Sequence, residues 1–406
     1  MHFDIDVMST LLIATGVLLI GRLAIARIDL LRRYNIPEPV IGGLVAAIVI
    51  TALKVTAGVE IAFDMALQTP LMLAFFASIG LGADLRMLAL GGRAIVAFLV
   101  VVAVMLVLQN AIGVAAAIGM DLHPLTGLLA GSITMSGGHG TGAAYASRFG
   151  SVDNLQGAME LAMACATFGL VLGGLIGGPI AQRLIANHGL TPEAKTAAAS
   201  VPGELGGDER RTITPESFVE TLFLMVVCVL AGIYLADITM NPYFTLPSFV
   251  WTLFTGVVVR NTLTLTGFRR MDSAAVDLLG TVSLSLFLAM ALIALRLWEL
   301  VALALPILAI LLAQLALVAA YTTFVTFTVM RKVLGSGYDA AAVVAGHCGF
   351  GLGATPTAVA NMQAVTARYG PSPQAFLIVP LTGAFLIDIT NALVIQGFLA
   401  LPLFGF

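Results

Sequence analysis

Residues 188–216 read HGLTPEAKTAAASVPGELGGDERRTITPE, a polar stretch rich in Pro and Gly that separates two apolar parts of the chain. On both sides, apolar runs of about 20 residues recur, which is the length that an α-helix needs to cross a bilayer. The 406 residues are 59% hydrophobic and only 10% charged, whereas a soluble domain carries about 25% charged residues. The composition therefore excludes a water-soluble fold and predicts an all-α polytopic membrane protein with a central loop at 188–215.

The two apolar parts resemble each other in sequence. IPEPV at 36–40 matches LPSFV at 246–250, and Leu85-Arg86 matches Leu295-Arg296, both at an offset of 210. A constant offset of about half the chain length indicates a two-fold internal repeat, as found in many transporters. We therefore predict an N-terminal repeat at 1–187 and a C-terminal repeat at 216–406.

Each repeat contains five long apolar segments and one shorter glycine-rich segment before the last of them. The glycine-rich segments lie at about 124–148 and about 338–369. If both are re-entrant hairpins, each repeat crosses the membrane an odd number of times and the two repeats are inverted. With ten spans and periplasmic termini, 16 of the 19 Lys and Arg residues fall on the cytoplasmic side, the exceptions being Lys54, Arg148 and Arg296. If both glycine-rich segments crossed the membrane, the charges would divide almost evenly, so the positive-inside rule favours ten transmembrane helices and two hairpins.

The first glycine-rich segment reads GSITMSGGHGTG at 131–142. Glycine lets the backbone turn sharply and approach a ligand, which leaves N–H groups free to donate. The alternative interpretation is a surface of small residues for helix packing, but clustered glycines break a helix instead of lining one. The predicted substrate-binding residues here are Ser136, Gly137, Gly138, His139, Gly140 and Thr141.

The second glycine-rich segment reads GHCGFGLGATPTAVAN at 346–361. Thr355 is expected to cap a helix whose first residue is Pro356. A helix N-terminus at the membrane midplane attracts an anion, so this turn is the first choice for a substrate carboxylate, with a plain capped loop as the alternative. The predicted substrate-binding residues here are Gly353, Ala354, Thr355, Pro356, Thr357 and Asn361.

Carboxylates inside a membrane are costly and suggest function. Asp388 lies deep in the last span beside Thr390 and Asn391, and these hard oxygen ligands suit a small cation such as sodium. The alternative is a hydrogen bond to the scaffold. Glu160 lies nearer the end of its span and is either functional or interfacial. His139 and His347 are proton-relay or metal-ligand candidates, but without a neighbouring carboxylate we interpret them as hydrogen-bonding residues.

Two long strings of residues are recognisable: GLLAGSITMSGGHGTGAAYA from Gly127 and AGHCGFGLGATPTAVANMQAVTARYGP from Ala345. They resemble the paired hairpins of the glutamate:sodium symporter family. The similarity continues in NIPEPVIGGL from Asn35, PLMLAFFASIGL from Pro70, ACATFGLVLGGLIGGP from Ala164 and SLSLFLAMAL from Ser283. It covers nearly the whole chain except the central loop and the extreme N-terminus.

The resemblance implies a sodium-driven importer of L-glutamate in the bacterial inner membrane. It further implies hairpins that enter from opposite sides, a homodimer and an elevator mechanism, with sodium as the coupling ion and no cofactor or nucleic-acid partner. The family's hairpin motif corresponds to residues 136–142 and 349–357. The sodium ligands Asp388, Thr390 and Asn391 are inferred from the residues alone.

Other functions remain open. The same fold could carry citrate, malate or another carboxylate, driven by sodium or protons. An ion channel conducts without coupling, and the inverted repeat argues against it. An intramembrane enzyme would need a nucleophile near His139 or His347, and the sequence places none there.

Overall fold

The computed structural model describes residues 2–29, 31, 37–151, 153–192, 213–239, 246–267, 271–294 and 304–404. Most of the predicted central loop, as well as Arg296, lies outside this part of the chain. Apart from a two-stranded parallel pair, β1 (His2–Ile5) with β2 (Glu60–Phe63), and a final 3₁₀ turn, the regular elements described are α-helices and π-helical turns. The predicted all-helical class is therefore confirmed.

Among the described helical elements, each half begins with three helices followed by a long apolar helical segment, but the π-helical turns lie at different places in the two halves. The first half contains α1 (Val7–Arg27), α2 (Glu38–Ala57), α3 (Gln68–Gly82), α4 (Met87–Gly119), α5 (Pro124–Leu128), a π-helical turn (Leu129–Ile133), α6 (Gly138–Ser151) and α7 (Ala158–His188). The second half contains α8 (Pro215–Ile238), α9 (Ser248–Thr266), α10 (Ser273–Ile293), α11 (Ala304–Tyr321), a π-helical turn (Thr322–Thr326), α12 (Phe327–Leu334), α13 (Gly337–Leu352), α14 (Thr355–Tyr369), α15 (Pro373–Leu381), a π-helical turn (Thr382–Leu386) and α16 (Ile387–Leu399).

Local sequence explains several helix ends. The Asp6 carboxylate caps α1 by accepting hydrogen bonds from the backbone N–H groups of Met8 and Ser9. These bonds favour the charged carboxylate, with Ser9 contributing most, and lower the pKa of Asp6 below its usual value. Thr214 and Ser217 form a capping box at the start of α8. At its C-terminus, α2 ends at Gly58 in the left-handed conformation.

Seven helices in the described part of the chain are long and apolar enough to cross a membrane. They are 7–27, 38–57, 92–119, 158–188, 215–238, 273–293 and 305–334. Large apolar side chains on these helices face outward, among them Leu12, Val55 and Phe223, which are 72%, 79% and 66% exposed. Only lipid covers such a surface favourably, so the chain is a multi-pass membrane protein.

The chain divides into two compact units, and each unit draws on both halves of the sequence. Unit 1 comprises Met1–Gly82, His139–Ala164 and Ile213–Leu305. In its core, Ala14 and Val17 of α1 pack with Ala289, Met290 and Ile293 of α10. Helices α3 and α9 cross closely at two glycines. A Cβ on Gly80 would lie 2.9 Å from the Cα of Gly256, so the crossing leaves no room for a side chain there.

Unit 2 comprises Ala83–Gly138, Cys165–Thr212 and Pro306–Phe406. It contains α4, α5, most of α7 and the helices from α11 to α16. All three π-helical turns belong to this unit. Because π-helical turns are rare and often accompany functional sites, they make unit 2 the candidate location of the functional site.

Candidate functional site in unit 2

Helices α13 and α14 form an antiparallel hairpin, called here the second hairpin. Gly349 faces Ala358, with a Cβ on the glycine placed 2.5 Å from the Cα of Ala358, and Gly346 faces the sulfur of Met362. The Asn361 Nδ2 donates to the Ala345 carbonyl at 3.3 Å. Residues 345 and 346 of α13 thus contact residues 361 and 362 of α14, whereas residue 349 contacts residue 358, so the two helices run antiparallel. At 1.5 Å per residue, the helices of 16 and 15 residues are about 24 and 22 Å long, shorter than a hydrocarbon core of about 30 Å.

The tip of the second hairpin differs in one detail from the sequence prediction. Thr355 was predicted to cap α14, and this is wrong: the N-cap residue is Ala354, which makes no side-chain cap. The Thr355 hydroxyl instead donates to the Gly383 carbonyl at 2.9 Å, in the π-helical turn between α15 and α16. The first N–H groups of a helix have no partner within the helix, and here no side chain of the N-cap residue takes their place. The start of α14 therefore keeps the donors that attract an anion.

The first glycine-rich segment has a break in its helix at Gly131, whose backbone angles are φ −94° and ψ −141°. The break frees the backbone of Ser132 for bonds to side chains. Its N–H donates to the Asn110 Oδ1 at 2.9 Å, and its carbonyl accepts from the Asn391 Nδ2 at 3.0 Å. Residues from three separate helical segments are thus held together at this break.

Gln109 joins the first glycine-rich segment to the second hairpin. Its Oε1 accepts from the Ser136 hydroxyl at 2.8 Å, and its Nε2 donates to the Gly351 carbonyl at 2.6 Å. The Gln314 Nε2 in turn donates to the Gln109 carbonyl at 2.7 Å. We call Gln109, Ser136, Gln314 and Gly351 the tip network. The three side chains are buried in unit 2.

Several buried polar atoms near these bonds have no hydrogen-bond partner within the described residues. Such atoms cost free energy unless a ligand or water satisfies them. Around the Gly131 break they are the Asn110 Nδ2, the Ser132 Oγ and the Asn391 Oδ1. Near the second hairpin they are the Thr357 Oγ1, the Thr382 Oγ1 and the His347 Nε2. They offer mainly oxygen atoms, the ligands that hard cations and polar substrates use.

His347 is held by a hydroxyl group and an aromatic ring. Its Nδ1 forms a hydrogen bond of 2.9 Å with the Thr326 hydroxyl, and its ring stacks on Phe350 with centroids 5.1 Å apart. Thr322, in the same π-helical turn as Thr326, contacts the Cys348 sulfur at 3.2 Å. This turn therefore anchors the inner face of α13. The hydrogen-bonding role predicted for His347 agrees with these contacts.

The predicted residues of the first glycine-rich segment divide between the units. Ser136, Gly137 and Gly138 belong to unit 2, whereas His139, Gly140 and Thr141 belong to unit 1. In unit 1 a Cβ on Gly140 would lie 2.7 Å from the Phe75 ring. His139 and Thr141 are buried there, and so is Glu160 in the first turn of α7.

The three predicted sodium ligands have different surroundings. Asn391 is buried and its amide contacts Ser132, as described above. The Thr390 hydroxyl donates to the Leu386 carbonyl of its own helical segment at 2.8 Å. Asp388 is half-buried and lies three residues before Asn391, hence on the same side of α16. Donation by Thr390 leaves the lone pairs of its oxygen available to a cation.

Gln109, Asn110, Ser132, Gln314 and Thr382 were not among the predicted site residues. The signal for the two neighbouring amides was available, because Gln109 and Asn110 interrupt the apolar run of α4 at positions where polar side chains are costly. Ser132 lies in the quoted segment at 131–142 but its partners Asn110 and Asn391 are far away in the sequence, and Thr382 carried no local signal.

The arrangement suits binding rather than bond-making chemistry. It combines helix N–H donors, which suit a carboxylate, with buried oxygen atoms, which suit a small cation. Within the described residues no group of three or more His, Cys, Asp or Glu side chains is placed to hold a metal ion. The described side chains can therefore offer a cation neutral oxygens and at most two clustered carboxylates, and the helix N–H groups suit an anion.

Comparison with known proteins gives a consistent result. The family model described as Sodium/glutamate symporter matches residues 3–371. The chain is 53% identical over 404 residues to the sodium/glutamate symporter of Escherichia coli (strain K12), covering 99% of this chain and 100% of the relative. It is 48% identical over 398 residues to the sodium/glutamate symporter of Haemophilus influenzae, covering 98% of both chains.

Proposed function

The chain belongs to the sodium/glutamate symporter family, and from this premise we propose that it couples the uptake of L-glutamate to the entry of sodium. It is a transporter and not an enzyme, with sodium as the coupling ion. Two observations support this function: the similarity over nearly the full length, and the hydrogen bonds that join the first glycine-rich segment to the second hairpin through Gln109. The second observation supports a substrate site in unit 2 where these hydrogen bonds are made.

The substrate carboxylate binds at the start of α14. The donors are the first N–H groups of this helix, and the buried Thr357 hydroxyl, which lacks a partner within the described residues, adds a polar contact. Ser136 places the first segment beside this tip. The proposed substrate-binding residues in unit 2 are Ser136, Gly137, Gly138, Gly353, Ala354, Thr355, Pro356, Thr357 and Asn361, whereas the roles of His139, Gly140 and Thr141 of unit 1 stay predictions from the sequence.

Sodium binds where Asn391 meets the broken helix at Ser132. The Asn391 Oδ1 and the Ser132 Oγ are buried oxygens without a partner within the described residues. Asp388 supplies the negative charge from the same side of α16, and Thr390 offers a hydroxyl oxygen. Sodium bound here neutralises this carboxylate and fixes the first segment, which favours the arrangement that holds glutamate.

The membrane topology has ten spans in two inverted repeats, with re-entrant hairpins. Seven of the spans are the long helices. The other three are α3, α9, and α15 together with α16. The similar start of the two halves, with three helices before a long apolar segment, and the short arms of the second hairpin support this topology. The termini are periplasmic and the central loop is cytoplasmic, in agreement with the positive-inside rule.

Transport proceeds by alternating access of the elevator type, in a homodimer in the inner membrane. The support for an elevator is the division into two compact units that each use both halves of the chain. The tip network and the predicted sodium ligands all lie in one of them, so the cargo and the coupling ion can move together with unit 2.

The substrate is tested by competition in proteoliposomes. Uptake of labelled L-glutamate under an inward sodium gradient is measured with unlabelled L-glutamate, citrate, malate or succinate in excess. We expect saturable inhibition by L-glutamate and none by citrate. Equal inhibition by citrate or a dicarboxylate would instead favour the second candidate, a sodium-coupled carrier of other carboxylates on the same fold.

A further inference from the structure

A groove with a cavity volume of about 890 Å³ lies in unit 2, away from the tip network. Its walls are the C-terminal part of α7 and the helical run from α11 to α12. Three cations, Arg183, Arg331 and Lys332, line it where α7 and α12 approach their C-terminal ends, and we call this part the basic end. The remainder is mainly apolar and includes Ile180, Ala319 and Phe324. The groove therefore matches an amphipathic ligand with an anionic part and an apolar part.

The cations at the basic end have no acidic partner among the residues that the structure describes. Among the described residues, the Arg331 guanidinium makes a cation–π contact with the Phe327 ring, 5.9 Å from the ring centroid. Arg183, Arg331 and Lys332 are all exposed. The negative ends of the helix dipoles of α7 and α12 stabilise these cations. They do not neutralise them, so the positive charge is still available to an anion.

The groove follows the helical run over about the length of a lipid acyl chain. From Ala319 to Lys332 the helix rises about 20 Å at 1.5 Å per residue. Phe324 is 72% exposed on this surface. It belongs to the π-helical turn in which Thr322 and Thr326 contact Cys348 and His347 of the second hairpin. The turn thus presents one face to the groove and the other to α13.

We propose that this groove binds one anionic phospholipid of the membrane, with its phosphate at Arg183, Arg331 and Lys332 and an acyl chain along Ile180, Ala319 and Phe324. The charge selects an anionic headgroup over a zwitterionic one, because basic pockets between spans at the cytoplasmic end bind such headgroups. The positive-inside rule assigns these three cations to the cytoplasmic leaflet. A free phosphate would use only the basic end and would leave the apolar surface uncovered.

The test is native mass spectrometry of the purified, delipidated full-length protein. Dioleoyl-phosphatidylglycerol is titrated and the dissociation constant of the first lipid is determined, with dioleoyl-phosphatidylethanolamine and inorganic phosphate as comparison probes. The test variant is Arg183→Gln with Arg331→Gln. The control variant, Arg27→Gln with Arg93→Gln, removes two other exposed cations that are also predicted to be cytoplasmic. A third variant, Thr328→Trp, fills the groove and keeps its charge.

We expect the test variant to bind the first phosphatidylglycerol about thirtyfold more weakly, since each basic residue near an anionic headgroup contributes about a fivefold factor. The control variant should stay within about twofold of the wild type, and phosphatidylethanolamine should bind more weakly than phosphatidylglycerol. Thr328→Trp should also weaken phosphatidylglycerol binding. Unchanged binding in the test variant or in Thr328→Trp would overturn the proposal. So would an equal loss in the control, equal binding of the two lipids, or displacement of the lipid by millimolar phosphate.

Discussion

Gly138 and Gly353 meet in unit 2 although they come from opposite halves of the chain. A Cβ on Gly138 would lie 3.3 Å from the Gly353 carbonyl oxygen, and Gly138 itself has a φ of +64°. Only glycine adopts this φ without strain while its backbone approaches another so closely. The contact places the turn of the first glycine-rich segment beside the tip of the second hairpin, where we propose that glutamate binds.

Gly138→Ala should lower sodium-driven glutamate uptake by about tenfold or more, because the methyl group costs roughly 1–2 kcal/mol in this conformation and presses on Gly353. The matched control is Gly58→Ala, which has a φ of +63° but open space around its Cβ. Uptake rates in proteoliposomes, normalised to the amount of protein, provide the comparison. Equal losses in both variants would show that backbone strain, and not the contact between the tips, explains the effect.

Gln109→Leu should reduce uptake by about tenfold or more, because it leaves the Ser136 hydroxyl and the Gly351 carbonyl buried without this partner. Tyr321→Phe is the control. It removes another buried hydrogen bond to the same helix α4, from the Tyr321 hydroxyl to the Val101 carbonyl at 2.8 Å. The control should lose thermal stability but retain its glutamate KM. If both variants lose stability and neither changes transport, the tip network is only structural.

Asn391→Ala should raise the sodium concentration that gives half-maximal uptake by about tenfold, because it removes an oxygen ligand that we propose for sodium. Asp388→Asn should raise it further, because the site loses its charge. Asn261→Ala serves as the control, since the Asn261 amide donates to Val257 within its own helix α9. Sodium titrations at fixed L-glutamate measure the effect. An unchanged half-maximal concentration in both Asn391→Ala and Asp388→Asn would move the sodium site elsewhere.

Gly177→Ala should lower the melting temperature of the purified protein by a few degrees, since overpacking costs about 1–3 kcal/mol. Its Cβ would lie 2.8 Å from the Ala345 carbonyl and press on the Asn361 amide. The neighbouring Gly178→Ala should be neutral or stabilising, because its Cβ meets open space and alanine favours a helix. A reversed order of the two melting temperatures would contradict the packing of α7 against the second hairpin.

Sequence patterns predicted the features that depend on local chemistry. Clustered glycines and Thr355-Pro356 indicated a turn in the segment predicted at about 338–369, and α13 and α14 together span residues 337–369. Long apolar runs indicated the membrane helices. These features are visible because each depends on neighbouring residues: a helix start needs its own first turn, and a span needs continuous hydrophobicity.

The remaining features depend on contacts between distant residues. Gln109 and Gly351 are 242 residues apart, so no local pattern links them. The capping prediction for Thr355 failed for the same reason, because Thr355 lies inside the first turn and its hydroxyl donates to the Gly383 carbonyl, 28 residues away. The π-helical turns also escaped prediction, since one extra residue in a helical turn hardly alters the hydrophobic period.

Accumulation of labelled L-glutamate in proteoliposomes tests the central claim most directly. Purified protein is reconstituted and given, in parallel, an inward gradient of sodium, an equal gradient of potassium, or a proton gradient. Coupled symport predicts that glutamate rises above its equilibrium concentration only with the sodium gradient, and that Asp388→Asn lowers this accumulation. Accumulation with potassium or protons alone, or none under any gradient, would contradict sodium-coupled glutamate transport.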